Sequence, residues 1–256
     1  MDMIDFLKLF ICIFFLLYSC YTDLQTRTVP NELWGVVFVA ALPLVIAGAL
    51  IDGAEYVYHT IISVTGIYLF VYVLFWLGAF GGADAKALIT LAFIFPVFPG
   101  IEVSGYAFPI IGAPPLDIFT FSTLANAILL SVVVPLCILL YNLSTLSMRE
   151  ISEKPWYLFV GYKCRISDLK NKHIKLIEDY VCENGMVMAK FKRNGVIIDD
   201  RVLNRLESFR SRGLIENRVW VTPGLPFMIP ITAGFITAVV FGDLIFYGVT
   251  ELVFWF

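Results

Sequence analysis

Long apolar runs, separated by short polar or proline-containing segments, dominate the pattern along this chain. A helix that crosses a bilayer needs about 20 mostly apolar residues. Six segments reach or approach that length: 6–22, 33–51, 56–78, 85–99, 116–143 and 226–249. The fourth is short and ends in Pro96 and Pro99, so we expect it to cross obliquely or only in part. The pattern predicts an all-α polytopic membrane protein with about six transmembrane helices.

One long polar region interrupts this pattern between the fifth and sixth apolar segments. Within it, segments 174–182 and 186–191 have strand-like patterns and flank Asn184–Gly185, a strong hairpin signal. A second dipeptide of this kind, Asn194–Gly195, follows them. The region therefore contains at least one predicted β-hairpin.

A helix and a last strand complete this polar region. Asp199 or Asp200 can cap the helix, Gly213 ends it, and 218–222 is strand-like up to Pro223. The region is thus predicted to be a small α+β domain. The apolar residues that share one face of its helix are Val202, Leu203, Leu206 and Phe209.

The composition places the chain among membrane proteins, with 59% hydrophobic residues, 15% charged residues and a mean hydropathy of +0.84. This apolar content excludes a disordered chain, and five cysteines without paired motifs exclude a disulfide scaffold. A net charge of −3 gives no reason to expect a nucleic-acid partner. We predict transmembrane helices 1–5 at 1–143, an insertion domain at 144–222 and transmembrane helix 6 at 223–256.

The scarce charges are unevenly distributed. Fifteen of the 18 Lys and Arg residues lie between Arg149 and Arg218, with ten of the 21 acidic residues. That stretch carries a net charge of +5 and the rest of the chain −8. Lys and Arg concentrate on the cytoplasmic side of membrane proteins, and with six spans the loops of Arg27 and Lys86 share a side with the insertion domain. We therefore expect a cytoplasmic insertion domain and both termini outside.

Two aspartates stand out as chemical candidates. Asp23 ends the first apolar segment and Asp84 opens the fourth. Two crossings separate them, so both fall at the cytoplasmic face, and ionisable groups at membrane depth are functional candidates. In an aspartic protease, one carboxylate activates water while its protonated partner polarises the scissile carbonyl. We predict that Asp23 and Asp84 form such a catalytic pair.

Residues beside the two aspartates suit this chemistry but have structural explanations too. Gly81 and Gly82 lack a Cβ, so the backbone can turn tightly and a peptide can approach closely. Asp84 then occupies the N-cap position of the next helix, a structural role that competes with catalysis. Arg27 and Lys86 are either cytoplasmic anchors or groups that orient a carboxylate or contact substrate.

Other chemistries have little support in the sequence. Glu102, Asp117 and Asp243 fall near the outer interface, where they act as interfacial charges or helix caps. The chain has two histidines and none of the motifs HExxH, GxSxG or the P-loop. We therefore expect no cofactor and no metal centre.

At these motifs the chain resembles the archaeal preflagellin (prearchaellin) peptidases, relatives of the type IV prepilin peptidases within the GxGD class of membrane aspartyl proteases. The family pattern Asp-x-x-x-Arg-x-Ile-Pro-Asn is matched by Asp23, Arg27, Val29, Pro30 and Asn31. The second pattern, GxGDxK, is matched by Gly81, Asp84 and Lys86, with Ala83 in place of the second glycine. A third match begins at Trp220–Pro223 and continues through Pro226, Ile229 and Pro230.

This resemblance implies a specific reaction. The family removes a short leader peptide from archaellin or type IV pilin-like precursors at the cytoplasmic membrane face, with Asp23 and Asp84 as the dyad. The expected partners are those precursors and the lipid bilayer. The alternative is a non-enzymatic transporter or carrier that uses intramembrane aspartates. Transporters tend to have inverted repeats and midplane charges, whereas this chain has no visible internal symmetry and both aspartates lie at an interface.

Overall fold

Two compact units make up the chain. The computed structural model describes residues 3–78, 80–170, 173–183 and 186–255. Contacts between residues group Met1–Ser131 with Pro226–Phe256 as the first unit and Val132–Leu225 as the second. The described part of the first unit is helical apart from a short hairpin, and the second contains a four-stranded sheet.

The bounds of the elements are as follows. The helices are α1 (Met3–Thr26), α2 (Asn31–Trp76), α3 (Gly82–Ile94), α4 (Phe119–Ser131), α5 (Val133–Thr145), α6 (Met148–Glu153), α7 (Tyr157–Val160), α8 (Asp200–Ser211), α9 (Met228–Val240) and α10 (Leu244–Trp255). The strands are β1 (Ile101–Val103), β2 (Tyr106–Phe108), β3 (Tyr162–Arg165), β4 (Ile174–Glu183), β5 (Met186–Ile197) and β6 (Arg218–Pro223).

The second and third predicted apolar segments form one element, α2, which bends sharply at Gly53. At 46 residues, α2 is more than twice the length that a bilayer requires. Gly53 has φ 68° and ψ −142°, a left-handed φ that favours glycine. Tyr56 packs back across the bend, because a Cβ at Gly48 would lie 3.0 Å from its Cζ. Residues eight apart in a straight helix are separated by about 12 Å along the axis.

The fourth predicted segment is short, as its prolines indicated, whereas the sixth differs from the prediction. α3 has 13 residues, which is about 20 Å of helix against a hydrocarbon core of about 30 Å. It ends at Ile94 because Phe95 precedes Pro96, and a residue before proline disfavours helical backbone. The sixth segment consists of α9 and α10, bent by 58°. By length and composition, the described residues contain three candidate spans, or four with the bent pair: Met3–Thr26, Asn31–Trp76, Phe119–Thr145, and Met228–Val240 with Leu244–Trp255.

Hydrogen bonds hold the break between α9 and α10 in place. A broken helix inside a membrane must find new partners for its freed backbone groups, since no water is available there. The buried Asn126 side chain on α4 supplies two of them, because its Oδ1 accepts from Leu244 N–H at 3.0 Å while its Nδ2 donates at the break. Three carbonyl oxygens at the break accept donors from earlier in the chain: Val240 from Ile110 (2.9 Å), Phe241 from Ile111 (3.0 Å) and Gly242 from Asn126 Nδ2 (2.8 Å).

Asp243 lies in this break. Its Oδ1 accepts the Phe246 N–H at 2.8 Å, so Asp243 caps α10. Its Oδ2 accepts the hydroxyl of Ser122 at 2.7 Å. Asp243 is therefore a helix cap, which is one of the two roles that the sequence predicted for it.

Close contact between α4 and α9 forms the centre of the first unit. A Cβ at Gly234 would lie 2.3 Å from the Thr123 carbonyl oxygen and 2.6 Å from the Ala127 nitrogen. Two aromatic side chains, Phe119 and Phe235, are fully buried beside this contact and pack edge to face with ring centroids 5.4 Å apart. Only glycine at this point of α9 lets the two backbones approach so closely.

Lys8 is a buried cation on α1, only 2% exposed. Its Nζ lies 3.3 Å from Asp5 Oδ1 and donates to the Tyr56 hydroxyl at 3.1 Å. A buried charge without such partners is costly. Lys8 lies within the first predicted apolar segment, 6–22, and its partner Tyr56 comes from α2.

The second unit contains an antiparallel sheet with strand order β3-β6-β4-β5. β4 and β5 pair as the predicted hairpin strands, whereas the predicted turn at Asn184–Gly185 lies outside the described residues. Asn194–Gly195 makes no separate hairpin turn and lies within β5, where the register against β4 shifts between Leu176 and Glu178. Gly195 has φ 66° at this bulge.

Helix α8 covers one side of the core of this sheet. Of the two candidate caps, Asp199 accepts the Val202 N–H at 2.8 Å, and Asp200 is the first helical residue. Leu206 is fully buried. Strand β3 was not predicted, because its four residues give too short a pattern and it is defined by pairing with β6.

Two glutamates organise the polar contacts of the second unit. Glu178 is buried, pairs with Lys154 and accepts the Tyr157 hydroxyl. Burial and the adjacent Glu178 carboxylate raise the pKa of Tyr157 to about 12. Hydrogen bonds from the Ser147 N–H and the Lys163 ammonium lower the pKa of Glu150 to about 2.

We predict that Gly234→Ala lowers the thermal unfolding midpoint of the detergent-solubilised protein. The new methyl group must displace backbone atoms of α4, and overpacking of this kind costs about 1–3 kcal/mol. Gly248→Ala in α10 is the matched control, because no atom lies within 4 Å of its Cβ position. Equal midpoints for the two variants would contradict the close α4–α9 contact.

Candidate active site

Asp23 lies in the last turn of α1 and is half-buried. Its Oδ2 accepts the backbone N–H of Met228 at 3.4 Å. Met228 is the first residue of α9, so the N-terminus of that helix faces the carboxylate. Free N–H groups and the helix dipole make such an end favourable for negative charge.

Cys20 ties α1 to α9 one turn before Asp23. Its Sγ donates to the Met228 carbonyl oxygen at 3.3 Å and lies 3.0 Å from Thr232 Oγ1. Thr232 also donates to the Met228 carbonyl oxygen at 2.8 Å. Sequence analysis missed this contact, although the positions of Cys20 and Asp23 three residues apart on one helix were a usable signal.

Asp84 lies at the third position of α3, not at the predicted N-cap. The N-cap is Gly81, whose N–H donates to Asp84 Oδ2 at 3.1 Å. The carboxylate therefore reaches back to the start of its own helix, as in one half of a capping box. Phe80, the residue before Gly81, packs on Phe227, the residue before Met228, with ring centroids 5.2 Å apart. The start of α3 therefore lies beside the start of α9, where Asp23 accepts its hydrogen bond.

The two predicted glycines have different surroundings. Neither has a positive φ, and the left-handed residue in this turn is Gly78, with φ 70°. A Cβ at Gly81 would lie 3.1 Å from Asp84 Oδ2, whereas a Cβ at Gly82 would have no atom within 4 Å. Gly81 therefore leaves room for the carboxylate, and the tight turn belongs to Gly78.

Lys86 contacts Asn31, the last residue of the first motif. Its Nζ donates to Asn31 Oδ1, which joins α3 to the first turn of α2. Pro30 is the N-cap of α2, and Ala83 packs against the buried core. The two motif segments are therefore in direct contact through the Lys86–Asn31 hydrogen bond.

Arg27 follows α1 with a left-handed backbone, φ 57°. Its N–H donates to the Asp23 carbonyl oxygen at 3.1 Å, which places the two residues one helical turn apart. Its Nε and Nη1 atoms are buried and have no hydrogen-bond partner in the described part of the chain. Val29, two residues after Arg27, is buried in the core.

This arrangement suits acid–base chemistry with two carboxylates. Groups of three or more His, Cys, Asp or Glu residues that could hold a metal ion do not occur within 3–78, 80–170, 173–183 and 186–255. A pair of interacting carboxylates titrates as one coupled unit, with one proton shared between them at intermediate pH. Such a pair can activate water and polarise a carbonyl at the same time.

Comparisons with protein families match both parts of the chain. Residues 10–140 match the model of the type IV leader peptidase family. Residues 153–244 match the model described as archaeal peptidase A24 C-terminus, type II. The first match contains both aspartates and both motif segments.

Curated relatives extend the similarity over most of the chain. A preflagellin peptidase of Methanocaldococcus jannaschii is 22% identical over 90% of this chain and 92% of its own length. A preflagellin peptidase of Methanococcus voltae is 24% identical over 90% of this chain and 93% of its own length. The prepilin peptidase EppA of Methanothermobacter thermautotrophicus is 28% identical over 49% of this chain and 33% of its own length.

Proposed function

The chain belongs to the type IV leader peptidase family, and we propose that it removes leader peptides from archaellin or pilin-like precursors with Asp23 and Asp84 as its catalytic carboxylates. The membrane peptidase activity itself follows from the family match and from relatives that are similar over nine-tenths of the chain. The observation that supports the residue assignment is the packing where α1, α3 and the N-terminus of α9 meet. Asp23 accepts the Met228 N–H there, and Phe80 beside Gly81 packs on Phe227 with ring centroids 5.2 Å apart. No comparable observation supports a transporter.

The proposed reaction uses the two carboxylates in complementary roles. The ionised carboxylate takes a proton from water as the water oxygen attacks the scissile carbonyl carbon. The protonated partner donates to the carbonyl oxygen and stabilises the tetrahedral intermediate. The intermediate then collapses, the C–N bond breaks, and a proton moves from the dyad to the leaving amine.

The proposed substrates are precursors in which a short leader precedes a hydrophobic helix. The names of the relatives point to this class. Asp23 lies at the end of an apolar helix, so a precursor helix within the bilayer would present the residues just before it at the same depth. The lipid bilayer is therefore a necessary partner for substrate alignment.

The proposed topology has six crossings, with the active site and the insertion domain in the cytoplasm. The sharp bend at Gly53 supports two crossings within α2, and the bent α9–α10 pair supports one more. The excess of Lys and Arg between Arg149 and Arg218 supports the cytoplasmic side for the insertion domain.

We predict that a membrane-impermeant maleimide labels Cys182 only from the cytoplasmic side. Cys182 is exposed on β4, and a variant that retains this cysteine alone gives an unambiguous signal. Glu102→Cys in an otherwise cysteine-free chain is the opposite-side control, because Glu102 is exposed and predicted outside. Labelling is compared between right-side-out and inverted vesicles. Labelling of Cys182 only in right-side-out vesicles would show that the insertion domain lies outside and would contradict the proposed topology.

We predict that Asp23→Asn and Asp84→Asn each abolish leader removal while the protein still inserts into membranes. An amide can neither accept the water proton nor supply an acidic one, and loss of a paired general acid or base costs at least about 100-fold. The assay co-expresses a precursor and follows its change in size. Asp243→Asn is the control, because asparagine can also cap α10. Normal cleavage by either dyad variant would refute the assignment.

We also predict opposite outcomes for the two neighbouring glycines. Gly81→Ala places a methyl group 3.1 Å from Asp84 Oδ2, so the carboxylate must shift by a few tenths of an ångström and the cleavage rate falls. The rate depends on such shifts because a reacting group must stay close to its attack geometry. Gly82→Ala enters open space at the first residue of α3 and leaves the rate near wild type. If Gly82→Ala alone lost activity, substrate rather than Asp84 would be the neighbour that requires these glycines.

A further inference from the structure

We propose that the Arg27 guanidinium binds a peptide carbonyl of the precursor beside the scissile bond. This inference rests on the proposed peptidase function and adds a substrate-binding residue to it. From the sequence, Arg27 and Lys86 each have two possible roles: a cytoplasmic anchor, or a group that orients a carboxylate or contacts substrate. In the structure, the two side chains have different surroundings.

Unused hydrogen-bond donors are the first observation. Arg27 Nε and Nη1 are buried from solvent and have no acceptor among the described residues. Buried N–H groups almost always have a partner, and one without a partner costs as much as a lost hydrogen bond. Arg27 also makes no ion pair with a carboxylate in that part of the chain, neither with Asp23 nor with Asp84.

Backbone conformation is the second observation. With φ 57°, Arg27 adopts the left-handed region that L side chains rarely occupy. Residues held in that region are strained and cluster at active sites and ligand clamps. Glycine would remove this strain at the end of α1. The position instead carries a long side chain whose Nε and Nη1 have no acceptor among the described residues.

Lys86 provides the contrast. It also carries a cation near Asp84, but its ammonium donates to Asn31 and so links α3 to α2. The hydrogen bond between the two motif segments therefore explains the role of Lys86 in the fold. Arg27 has no corresponding internal contact through Nε or Nη1.

The position of Arg27 favours a backbone carbonyl as the ligand. Arg27 lies one helical turn from Asp23, and the start of α3, which carries Asp84, lies beside the N-terminus of α9 that faces the Asp23 carboxylate. A carboxylate side chain of the substrate would meet the negative charge of this pair. A neutral peptide carbonyl accepts from a guanidinium without that repulsion, and every extended substrate has such carbonyls beside the bond to be cut.

Arg27→Gly is the sharpest test, because glycine relieves the left-handed strain while it removes the guanidinium. Cleavage of a precursor by the full chain in proteoliposomes is followed for kcat and KM. We expect kcat/KM to fall about ten- to hundred-fold, as for loss of one charge-assisted hydrogen bond. The loss appears mainly in KM, and added guanidinium ion restores part of the activity. Precursor binding to the Asp84→Asn protein weakens by a similar factor when Arg27→Gly is added.

Controls separate this inference from the function on which it rests. Ser104→Gly replaces another left-handed residue, φ 53°, which lies exposed on the surface, and should leave kcat/KM unchanged. An unchanged kcat/KM in Arg27→Gly would overturn the binding role while the peptidase stands. A loss in kcat alone, without guanidinium rescue, would also overturn it and indicate a structural role. If the wild-type protein cleaves no precursor, the proposed function fails and the Arg27 inference fails with it.

Discussion

The lack of water in the hydrocarbon core is the constraint on which the rest of this structure depends. Every polar group that leaves regular helix there must find a partner within the protein. At the α9–α10 break, the Asn126 side-chain amide donates to the Gly242 carbonyl oxygen and accepts the Leu244 N–H. The buried Lys8 ammonium donates to the Asp5 carboxylate and to the Tyr56 hydroxyl. The irregular features of the first unit are thus sites where satisfied hydrogen bonds fix a geometry that an apolar sequence could not hold alone.

The same constraint makes polar groups with unused hydrogen-bonding capacity candidates for a functional role. Asp23 accepts one long hydrogen bond from Met228, and Asp84 accepts one from its own N-cap. Arg27 adds two buried nitrogens, one turn from Asp23, that have no acceptor among the described residues. Carboxylates with accepting capacity to spare and unpaired donors in one place are what a site for a peptide bond requires, because the substrate completes the hydrogen bonding.

The membrane class, the two motif segments and the main strands and helix of the insertion domain could be predicted from the sequence, because each depends on local signals. Apolar length, the two motif segments and the Asp199 cap can be recognised within a few residues of chain. The break between α9 and α10 could not be found in this way, since Gly242 and Asp243 lie within a long apolar run and the partners that satisfy the break come from α4 and the 110–111 segment. The contact between Lys86 and Asn31 spans 55 positions and depends on tertiary packing. Asp84 was placed at the N-cap because a Gly-rich turn preceded it, but its side chain reaches back from the third position.

The break in the last helix has a consequence for the active site. α9 is held at its C-terminal end by the hydrogen bonds of the break and along its length by the close contact of Gly234 with α4. Its N-terminus, which carries the Met228 N–H, is thereby fixed beside Asp23. The hydrogen bonds that pair the Val240, Phe241 and Gly242 carbonyls hold this break in one geometry, because a change in the bend would break them. The hydrogen bond from Met228 to Asp23 therefore depends on the position of α9, whereas Asp84 is held by the start of its own helix, α3.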